Sequence, residues 1–576
     1  MLQNCLKLFM QKKQLFAVVV AACVYVVLFA STYLNQSLEN NNFVKQNYPL
    51  KLLSANVIPP SESLDPFSAY YGLVYKDKYG QPSRMAGIYK SEKCNFNWKQ
   101  YFPLIISSIQ KYKIKNTARN PEAFTWNTST VTLGTNVKEF KVGDTLVAHL
   151  QAKNRSNRNK TFGGDYFRAR LIRKTPDGAL TDGIACDIKD HLNGSYTLQV
   201  PLLMAGTFTL EVKLVLSLEG IAGLIDFTSM QNHKGHNYLA TLQTKEIVEC
   251  NVDLNIYNGY EDKLMCDYGN PRNGETWFCN LPPSGKCSPI TWMINNYELN
   301  KPPYNEKLQF PKRYGTLAEI IGSGIQVNVF NGMEHNESST FHASSPSVYL
   351  HQGNWIRTLD SKIIESKQDF RMCLDRKEVY MFGDSTIRQF FYNFANRFSL
   401  NVYGPDNSIV WQQPKTARSK DGNSNITLYY RAHGPPLRNP GPPSSRPYIS
   451  DSIDGIRVAK RGQVYVFFNI GTHLIDYETS LYVRRLLGIK EAIVRHHKSF
   501  PNTKFIVRGM NVVESIEEWL ILRYETLLRE TFKNMSNVFY LNLWDFTTVM
   551  PLDDYHPKSF VLEKQVLLLF NLICEI

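Results

Sequence analysis

Two short segments that lie far apart in the chain carry residue types that together could perform acyl transfer. The first is Gly383-Asp384-Ser385, which stands between an apolar strand candidate at 378–382 and an amphipathic helix candidate at 386–398. A serine at the start of a helix lies beside free backbone N–H groups and the positive end of the helix dipole, which can stabilise an oxyanion. Asp and Ser are also favoured helix N-caps, so this segment alone does not distinguish a nucleophile from a cap.

The second segment, 551–557 (PLDDYHP), supplies a candidate base and a carboxylate to orient it. A serine nucleophile needs a base, and the base needs an orienting carboxylate. In the Asp-x-x-His pattern, Asp553 can bind one ring nitrogen of His556 while the other nitrogen faces Ser385. Seen alone, the segment would be a solvated acidic loop before the last helix. The two segments together predict a catalytic triad of Ser385, His556 and Asp553, with Asp553 rather than Asp554 as the orienting carboxylate.

The loops between these segments contain further polar candidates. Residues that follow strand candidates are predicted oxyanion donors: Gly434, Asn469 and Gly471. Basic residues in the same loops are predicted to contact the substrate, and the arginines would suit an anionic sugar: His433, His473, Arg431, Arg438 and Arg446. The alternatives are ordinary strand-ending turns and solvated arginines. The loop 434–447 holds six prolines and is typical of a lid or a binding wall.

The elements that must position these residues alternate between strands and helices over the last 200 residues. Apolar runs predict strands at 378–382, 464–468, 504–507 and 538–541, and amphipathic runs predict helices at 386–398, 480–497, 514–532 and 561–572. This order predicts an α/β sheet with helices on both faces, whose ligands bind beyond the carboxyl ends of the strands. We assign 302–576 to this domain.

The preceding region has the pattern of an antiparallel β-sandwich. The segments 196–200 and 208–214 alternate apolar and polar residues, and glycine-containing turn signals separate such segments. We assign 92–250 to this sandwich. Four cysteines crowd the next stretch, 251–301, which is predicted to be a disulfide-braced connector without a large core of its own.

The N-terminal region predicts a membrane anchor. Residues 15–30 are continuously apolar, and Lys7, Lys12 and Lys13 precede them. This pattern predicts a cytoplasmic tail at 1–13, an uncleaved signal anchor at 14–34 and a stem at 35–91, with the body in the lumen of the endoplasmic reticulum or Golgi. The alternative is a cleaved signal peptide and a secreted protein.

Glycosylation sequons and cysteines agree with a lumenal body. Asn-x-Ser/Thr sequons occur after the anchor at Asn35, Asn127, Asn154, Asn159, Asn193, Asn336, Asn425 and Asn534. Eight cysteines that could form four disulfides, with the pairing left open, also follow the anchor: Cys94, Cys186, Cys250, Cys266, Cys279, Cys287, Cys373 and Cys574. The chain has no C-x2-C pair, so no metal site is predicted.

Charge and composition exclude several classes of protein. With 20% charged and 12% aromatic residues, the 576-residue chain is not of a disordered or collagen-like type. Its formal net charge of +14 is spread out, and no nucleic-acid partner is predicted.

The same residues resemble known families. The stretches 163–171 (GGDYFRARL) and 190–215 resemble the neurexophilin module, a filamin-like immunoglobulin-type sandwich. The Ser and Asp-x-x-His segments resemble the SGNH/GDSL hydrolases, and 373–394 (CLDRKEVYMFGDSTIRQFFYNF) is similar to the nucleophile block of their PC-esterase branch. In this order, the two halves resemble the neurexophilin and PC-esterase domain family, NXPE.

The resemblance implies a lumenal carbohydrate O-acyltransferase. Its acceptor would be a glycan hydroxyl, with sialic acid as one candidate, and its acyl donor would be acetyl-coenzyme A, with no bound cofactor. A glycan O-acetyl esterase using the same residues is an alternative. A non-enzymatic protein that binds a cell-surface receptor through its neurexophilin-like domain is another. A glycosyltransferase is disfavoured because the chain lacks an Asp-x-Asp motif.

Overall fold

The described part of this computed structural model covers most of the chain from residue 129 onwards. The described residues are 129–134, 139–221, 224, 238–252, 264–270, 277–295, 324–331, 347–357, 366–404, 414–419, 425–435, 440–443, 446–457, 463–475, 477, 479–515 and 517–576, together with the backbone of four short strands. The elements below belong to one compact unit, Val57–Pro282 with Lys286–Ile576. The predicted tail and anchor lie outside the described residues, as does the predicted stem apart from the short strands within 75–90.

Twenty described strands lie before residue 366, and a short helical segment at 218–221 lies among them. In chain order they are β1 (Tyr75–Lys76), β2 (Pro82–Ser83), β3 (Gly87–Lys90), β4 (Thr130–Leu133), β5 (Glu139–Lys141), β6 (Thr145–Gln151), β7 (Tyr166–Lys174), β8 (Leu180–Ala185), β9 (Asp187–Asp190), β10 (Ser195–Pro201), β11 (Gly206–Leu216), β12 (Tyr238–Leu242), β13 (Ile247–Asn251), β14 (Leu264–Asp267), β15 (Phe278–Asn280), β16 (Ile290–Asn295), β17 (Ala318–Glu319), β18 (Ile325–Phe330), β19 (Val348–His351) and β20 (Asn354–Arg357). β1 and β2 pair with each other.

Two of the sheets form a β-sandwich. One has the order β4-β6-β10-β9, and the other has the order β20-β19-β8-β7-β11-β18-β5, with β17 paired to β11. Neighbouring strands are antiparallel, except that β5 is parallel to β18. Alternate residues of the facing strands are buried in one core, as in β6 and β11, because every second side chain points to the same face. The predicted antiparallel sandwich is confirmed.

A smaller antiparallel sheet follows, with the order β16-β12-β13-β15-β14-β3. Its buried residues share one hydrophobic cluster with helices of the last domain, so it has no separate large core. Its strands β14, β15 and β16 lie in the predicted connector, 251–301, whereas β3 and β12 and nearly all of β13 come before it.

The last region is an α/β domain. Its strands are β21 (Lys377–Gly383), β22 (Asn401–Tyr403), β23 (Lys415–Arg418), β24 (Thr427–Ala432), β25 (Gln463–Phe468), β26 (Lys504–Arg508) and β27 (Val538–Leu541). Its helices are α1 (Lys367–Leu374), α2 (Ser385–Arg397), α3 (Ile449–Asp454), α4 (Thr479–Ser499), α5 (Glu518–Phe532), α6 (Leu543–Val549) and α7 (Ser559–Glu575). The sheet order is β22-β23-β24-β21-β25-β26-β27, and the run from β24 to β27 is parallel.

Helices cover both faces of this sheet. The helices α3, α4 and α5 share one hydrophobic cluster with β25 and β26, while α1, α2, α6 and α7 share the cluster on the other face. The central strands are buried on both faces, which explains why they appear in the sequence as continuous apolar runs. Each of the four predicted strands is present, and α5 begins at Glu518 rather than at the predicted 514.

The boundary placed at 302 is wrong. The strands β18, β19 and β20 lie beyond it in sequence, yet they pair with β11, β8 and each other in the larger sandwich sheet. The reason is that a sheet edge can be completed by strands from a distant part of the chain, which strand periodicity alone does not reveal. The sandwich therefore extends to Arg357, and the α/β domain begins near α1.

Three disulfides join described cysteines: Cys250–Cys279, Cys266–Cys287 and Cys373–Cys574. Cys186 is a free, half-buried thiol, and Cys94 lies outside the described residues. Among the sequon asparagines, Asn159, Asn193, Asn425 and Asn534 are exposed and Asn154 is half-buried, whereas Asn35, Asn127 and Asn336 lie outside the described residues.

None of the helices in the described part of the chain combines the length and apolar character that crossing a bilayer requires. The anchor at 14–34 therefore stays a prediction.

Candidate active site

Ser385 occupies the turn between the middle strand of the α/β sheet and a helix. It is the first residue of α2 and follows β21 after Asp384. Asp384 caps this helix, since its Oδ1 accepts hydrogen bonds from Thr386 N at 2.8 Å and Thr386 Oγ1 at 2.6 Å. Gly383 allows the close passage of the next loop, because a Cβ there would lie 2.6 Å from the backbone oxygen of Asn469. Ser385 is thus held at the carboxyl end of the sheet, where ligands bind in this class of fold.

The structure brings Ser385 and His556 into contact. Ser385 Oγ lies 2.7 Å from His556 Nε2, although the two residues are 171 positions apart. When Nε2 is unprotonated it accepts the hydroxyl proton, and it can take that proton fully as the oxygen attacks an acyl carbon. The side chain of His556 is 48% exposed, so the pair is open to a substrate.

The predicted hydrogen bond between Asp553 and His556 is absent. Asp553 Oδ2 instead accepts a hydrogen bond from Lys558 Nζ at 2.7 Å. Asp554 Oδ2 lies nearer, 3.9 Å from His556 Nδ1, which is beyond hydrogen-bonding distance. Both carboxylates are largely exposed, so water competes for them and neither geometry is enforced by packing.

Two histidines, one buried and one half-buried, form a pair in the neighbouring loops. His433 Nε2 lies 2.9 Å from His473 Nδ1, and His433 Nδ1 lies 2.7 Å from the carbonyl oxygen of Gly434. A carbonyl only accepts, so Nδ1 of His433 carries a proton. Burial lowers the pKa of His433 to about 3, so the ring is neutral and its Nε2 accepts from Nδ1–H of His473. The pair therefore orients the His473 ring, which is half-buried.

A buried carboxylate lies beneath Ser385, beside this pair. Burial alone would raise the pKa of Asp384, but the nearby His473, the hydrogen bond from Thr386 and the charge of Arg508 hold it below its usual value. Arg508 ends β26 and is itself buried, and its Nη1 donates to the carbonyl oxygen of Gly509 at 3.1 Å. Asp384 therefore carries a negative charge at neutral pH.

The oxyanion candidates have different surroundings. Asn469 is fully buried, and its Nδ2 donates to the carbonyl oxygen of Arg508 at 2.6 Å, so its side chain is committed to internal packing. The prediction that this amide binds an oxyanion has no support in the structure. A Cβ on Gly434 would lie 2.5 Å from the Tyr448 ring, and one on Gly471 would lie 1.8 Å from Met510 Cε. Close packing near the site therefore requires glycine at both positions. Their backbone N–H groups remain the candidate donors to an oxyanion.

The predicted substrate arginines also differ. Arg431 is exposed on β24, and Arg438 lies outside the described residues. Arg446 is buried, and its Nη2 donates to the carbonyl oxygen of Pro440, so it supports the proline-rich loop from within and is not available to a sugar carboxylate. Gly441 of that loop pairs with Met293 of β16, which ties the loop to the small sheet.

Comparisons with known proteins match both halves of the chain. The family model described as "NXPE family member 4-like, C-terminal domain" matches residues 355–574, and the model described as "Neurexophilin" matches residues 109–312. The first match contains both Ser385 and His556, and the second contains most of the sandwich. These matches support the resemblance to the NXPE family in both halves of the chain. Among solved structures, the crystal structure of the Lin-41 filamin domain is 19% identical, with 15% of this chain and 78% of that chain covered and a TM-score of 0.12.

Sequence reasoning missed the buried charges beneath Ser385. From the sequence, Asp384 is predicted only as a possible cap, and no role is predicted for Arg508. The available signal was a charged residue placed directly after the apolar strand segment 504–507, at the end of the sheet where the other candidates cluster.

Proposed function

We propose that this protein is a lumenal carbohydrate O-acyltransferase of the SGNH type that works through a covalent acyl-enzyme. The observation that supports the proposal is the 2.7 Å contact between Ser385 Oγ and His556 Nε2 at the carboxyl end of the central parallel strand. A serine in contact with an imidazole at a helix N-terminus is the arrangement that nucleophilic acyl transfer requires.

Each residue has a role in the proposed reaction. His556 Nε2 takes the Ser385 proton as Oγ attacks the acyl carbonyl of the donor, and it returns that proton to the leaving group. Backbone N–H groups at the start of α2, with those of Gly434 and Gly471, would bind the developing oxyanion. In the second half-reaction His556 deprotonates the acceptor hydroxyl, which attacks the ester carbon and regenerates Ser385.

The acceptor decides the name of the activity. We propose a glycan hydroxyl, with sialic acid as one candidate, and acetyl-coenzyme A as the donor, on the basis of family resemblance. If water were the acceptor, the same residues would make an acetyl esterase. Three disulfides among the described residues support an oxidising compartment, where such glycans are found.

The experiment that tests the proposal compares the wild-type protein with Ser385→Ala. Removal of the attacking oxygen should lower acetyl transfer by several orders of magnitude, while the folded structure is retained. Purified protein would be incubated with acetyl-coenzyme A and a sialylated glycan, and the acetylated product would be counted by mass spectrometry. The reverse incubation, with acetylated glycan and no donor, separates transferase from esterase.

The matched control is Ser366→Ala, which removes the hydroxyl that caps α1, the helix before the nucleophile strand. Near wild-type transfer by a folded Ser385→Ala protein would refute covalent catalysis by this serine.

The match to the neurexophilin model supports a second candidate function. Through its sandwich, the protein would bind a cell-surface receptor without catalysis. Pull-down of receptor by the folded Ser385→Ala variant would test it independently of chemistry.

A further inference from the structure

The sandwich makes buried ionic contacts with the segment that connects β26 to α5. We call 509–517 the connecting segment. Arg168 of β7 donates from Nη1 to Glu518 Oε2 at 2.7 Å and from Nη2 to Glu514 Oε1 at 2.5 Å. Tyr166 OH donates to the other oxygen of Glu518 at 2.7 Å. Lys213 Nζ of β11 donates to Glu514 Oε2 at 2.9 Å. The sandwich thus binds both the connecting segment and the first residue of α5.

The connecting segment in turn holds the loop that carries His556. Leu552 N donates to the carbonyl oxygen of Val512 at 3.1 Å, and Glu514 N donates to the carbonyl oxygen of Leu552 at 2.9 Å. These two hydrogen bonds make a short parallel bridge between the segment and the loop. Further along the loop, Tyr555 OH donates to Glu517 Oε2. The residue immediately before His556 is therefore attached to the segment that Arg168 binds.

The start of the same loop also contacts the sandwich. Arg170 Nη1 of β7 donates to the carbonyl oxygen of Val549, the last residue of α6, at 2.6 Å. Gly183 of β8 packs against the same residue, because a Cβ there would lie 2.4 Å from Val549 Cγ1. Two strands of the sandwich therefore fix the point at which the His556 loop leaves α6.

Burial makes the Arg168 contact more than a surface ion pair. The side chains of Arg168 and Glu518 are 6% and 0% exposed, so removal of either partner leaves a buried charge without compensation. The His556 side chain, by contrast, is 48% exposed and has little packing of its own. The position of its ring is set by the loop backbone, and that backbone is set by the contacts above.

We propose that the β-sandwich is a structural part of the active site, in which Arg168 acts as a positioning residue that orders the His556 loop through Glu514 and Glu518. The effect on the reaction rate rests on the proposed function of Ser385 and His556, whereas the ordering of the loop does not.

Hydrogen–deuterium exchange of the full chain tests the ordering directly. Arg168→Met should speed amide exchange in residues 509–517 and 551–557 on the order of tenfold or more, because local opening loses the contacts that oppose it. The matched control is Arg173→Met, which removes the same side chain from the same strand and also separates it from a buried carboxylate, Asp182, within the sandwich. Exchange of the two loops should be unchanged in that control.

A second measurement keeps the test decisive if Arg168→Met folds poorly. Tyr166→Phe removes only the hydroxyl that donates to Glu518 and should cause a smaller change in the same peptides. Arg168→Lys keeps the charge but loses the two-pronged geometry, so its exchange should lie between wild type and Arg168→Met. Unchanged exchange at 551–557 in all three variants, or an equal increase in Arg173→Met, would overturn the proposal.

The effect on chemistry is read from covalent labelling of Ser385 by an organophosphonate that reacts with activated serines. Misplacement of His556 should lower the maximal labelling rate of Arg168→Met by up to about 10²-fold and leave the half-saturating probe concentration nearly unchanged. If loop exchange differs between Arg168→Met and wild type but the labelling rate of Ser385 does not, the proposed effect on catalysis is refuted. If wild type is not labelled, the proposed function fails, and the exchange data still decide whether the sandwich orders the loop.

Discussion

At the scale of single residues, the serine and histidine that the fold brings into contact could be found from sequence, but the carboxylate geometry could not. Ser385 and His556 each stand in a recognisable local pattern, and the fold brings them to 2.7 Å. The three-residue offset predicts Asp553 beside His556, yet the Asp553 carboxylate binds Lys558. An offset in sequence fixes which side chains share a side only when the turn is regular, and 551–558 is not a helix.

Two asparagine variants decide which aspartate assists His556. We expect Asp553→Asn to lower kcat by up to the order of 10⁴, as the loss of an orienting carboxylate does in serine-protease triads. The Lys558 pair that now holds Asp553 is 69% and 77% exposed and contributes little, so an imidazolium forming at His556 can compete for that carboxylate. Asp554→Asn should stay within a few fold, because Asp554 Oδ1 accepts from Tyr555 N at 2.6 Å.

Acetyl transfer by the two variants, matched by circular dichroism and melting temperature, is the measurement. A large loss in Asp554→Asn alone would mean that the 3.9 Å contact with His556 Nδ1 is the functional one.

At the scale of elements, apolar periodicity predicted the parallel strands well and the polar groups between layers poorly. The run at 464–468 is a strand buried between helices, and the run at 538–541 is the half-buried edge strand of the same sheet. Glu525 of α5 carries no such signal, since a single acid in an amphipathic helix normally faces water. Here it is buried, and its Oε2 accepts from Met510 N at 2.8 Å while Tyr540 OH donates to Oε1.

Glu525 predicts a defined pH dependence of stability. Burial raises the pKa of Glu525 from 4.5 to about 7, although the hydrogen bond from Met510 N and the charge of Arg529 oppose this shift. The folded state then holds a proton that the unfolded state releases, so the stabilisation is complete below pH 4.5 and is lost as the pH rises through 7. Relative to Glu525→Gln, wild type should lose on the order of 3 kcal/mol of unfolding free energy between pH 4.5 and pH 8.

Urea unfolding of both proteins across this pH range is the measurement, since the difference between them cancels the other titrating groups. If the unfolding free energies of wild type and Glu525→Gln differ by the same amount at every pH, Glu525 is already ionised in the folded protein.

At the scale of the whole molecule, sequence patterns predicted the order of the domains but not which strands complete the sandwich. The strands β18, β19 and β20 return to the sandwich after the small sheet, which no local pattern indicated. The disulfide pairing was likewise open, because eight cysteines allow 105 pairings. In the fold, Cys373 of α1 is joined to Cys574 of α7, so the first and last helices of the α/β domain are linked.

Loss of this disulfide should destabilise the α/β domain. The bond closes a loop with a sequence separation of 201 residues, and removal of a native disulfide typically costs 2–5 kcal/mol. We therefore expect the double variant Cys373→Ser, Cys574→Ser to melt several degrees lower than wild type in calorimetry. Cys186→Ser is the control, since Cys186 is a free thiol and its loss leaves the disulfides intact. Equal melting temperatures for wild type and the double variant would contradict the prediction.

The Cys373–Cys574 bond also determines what a protease can do to this protein. Because the bond spans nearly the whole α/β domain, a single backbone cut between the two cysteines produces two pieces that stay covalently attached. A secreted or shed form cut at the exposed turn 501–502 would keep Ser385 and His556 on separate fragments of one molecule. Such a form would migrate as an intact chain on a non-reducing gel and separate only after reduction.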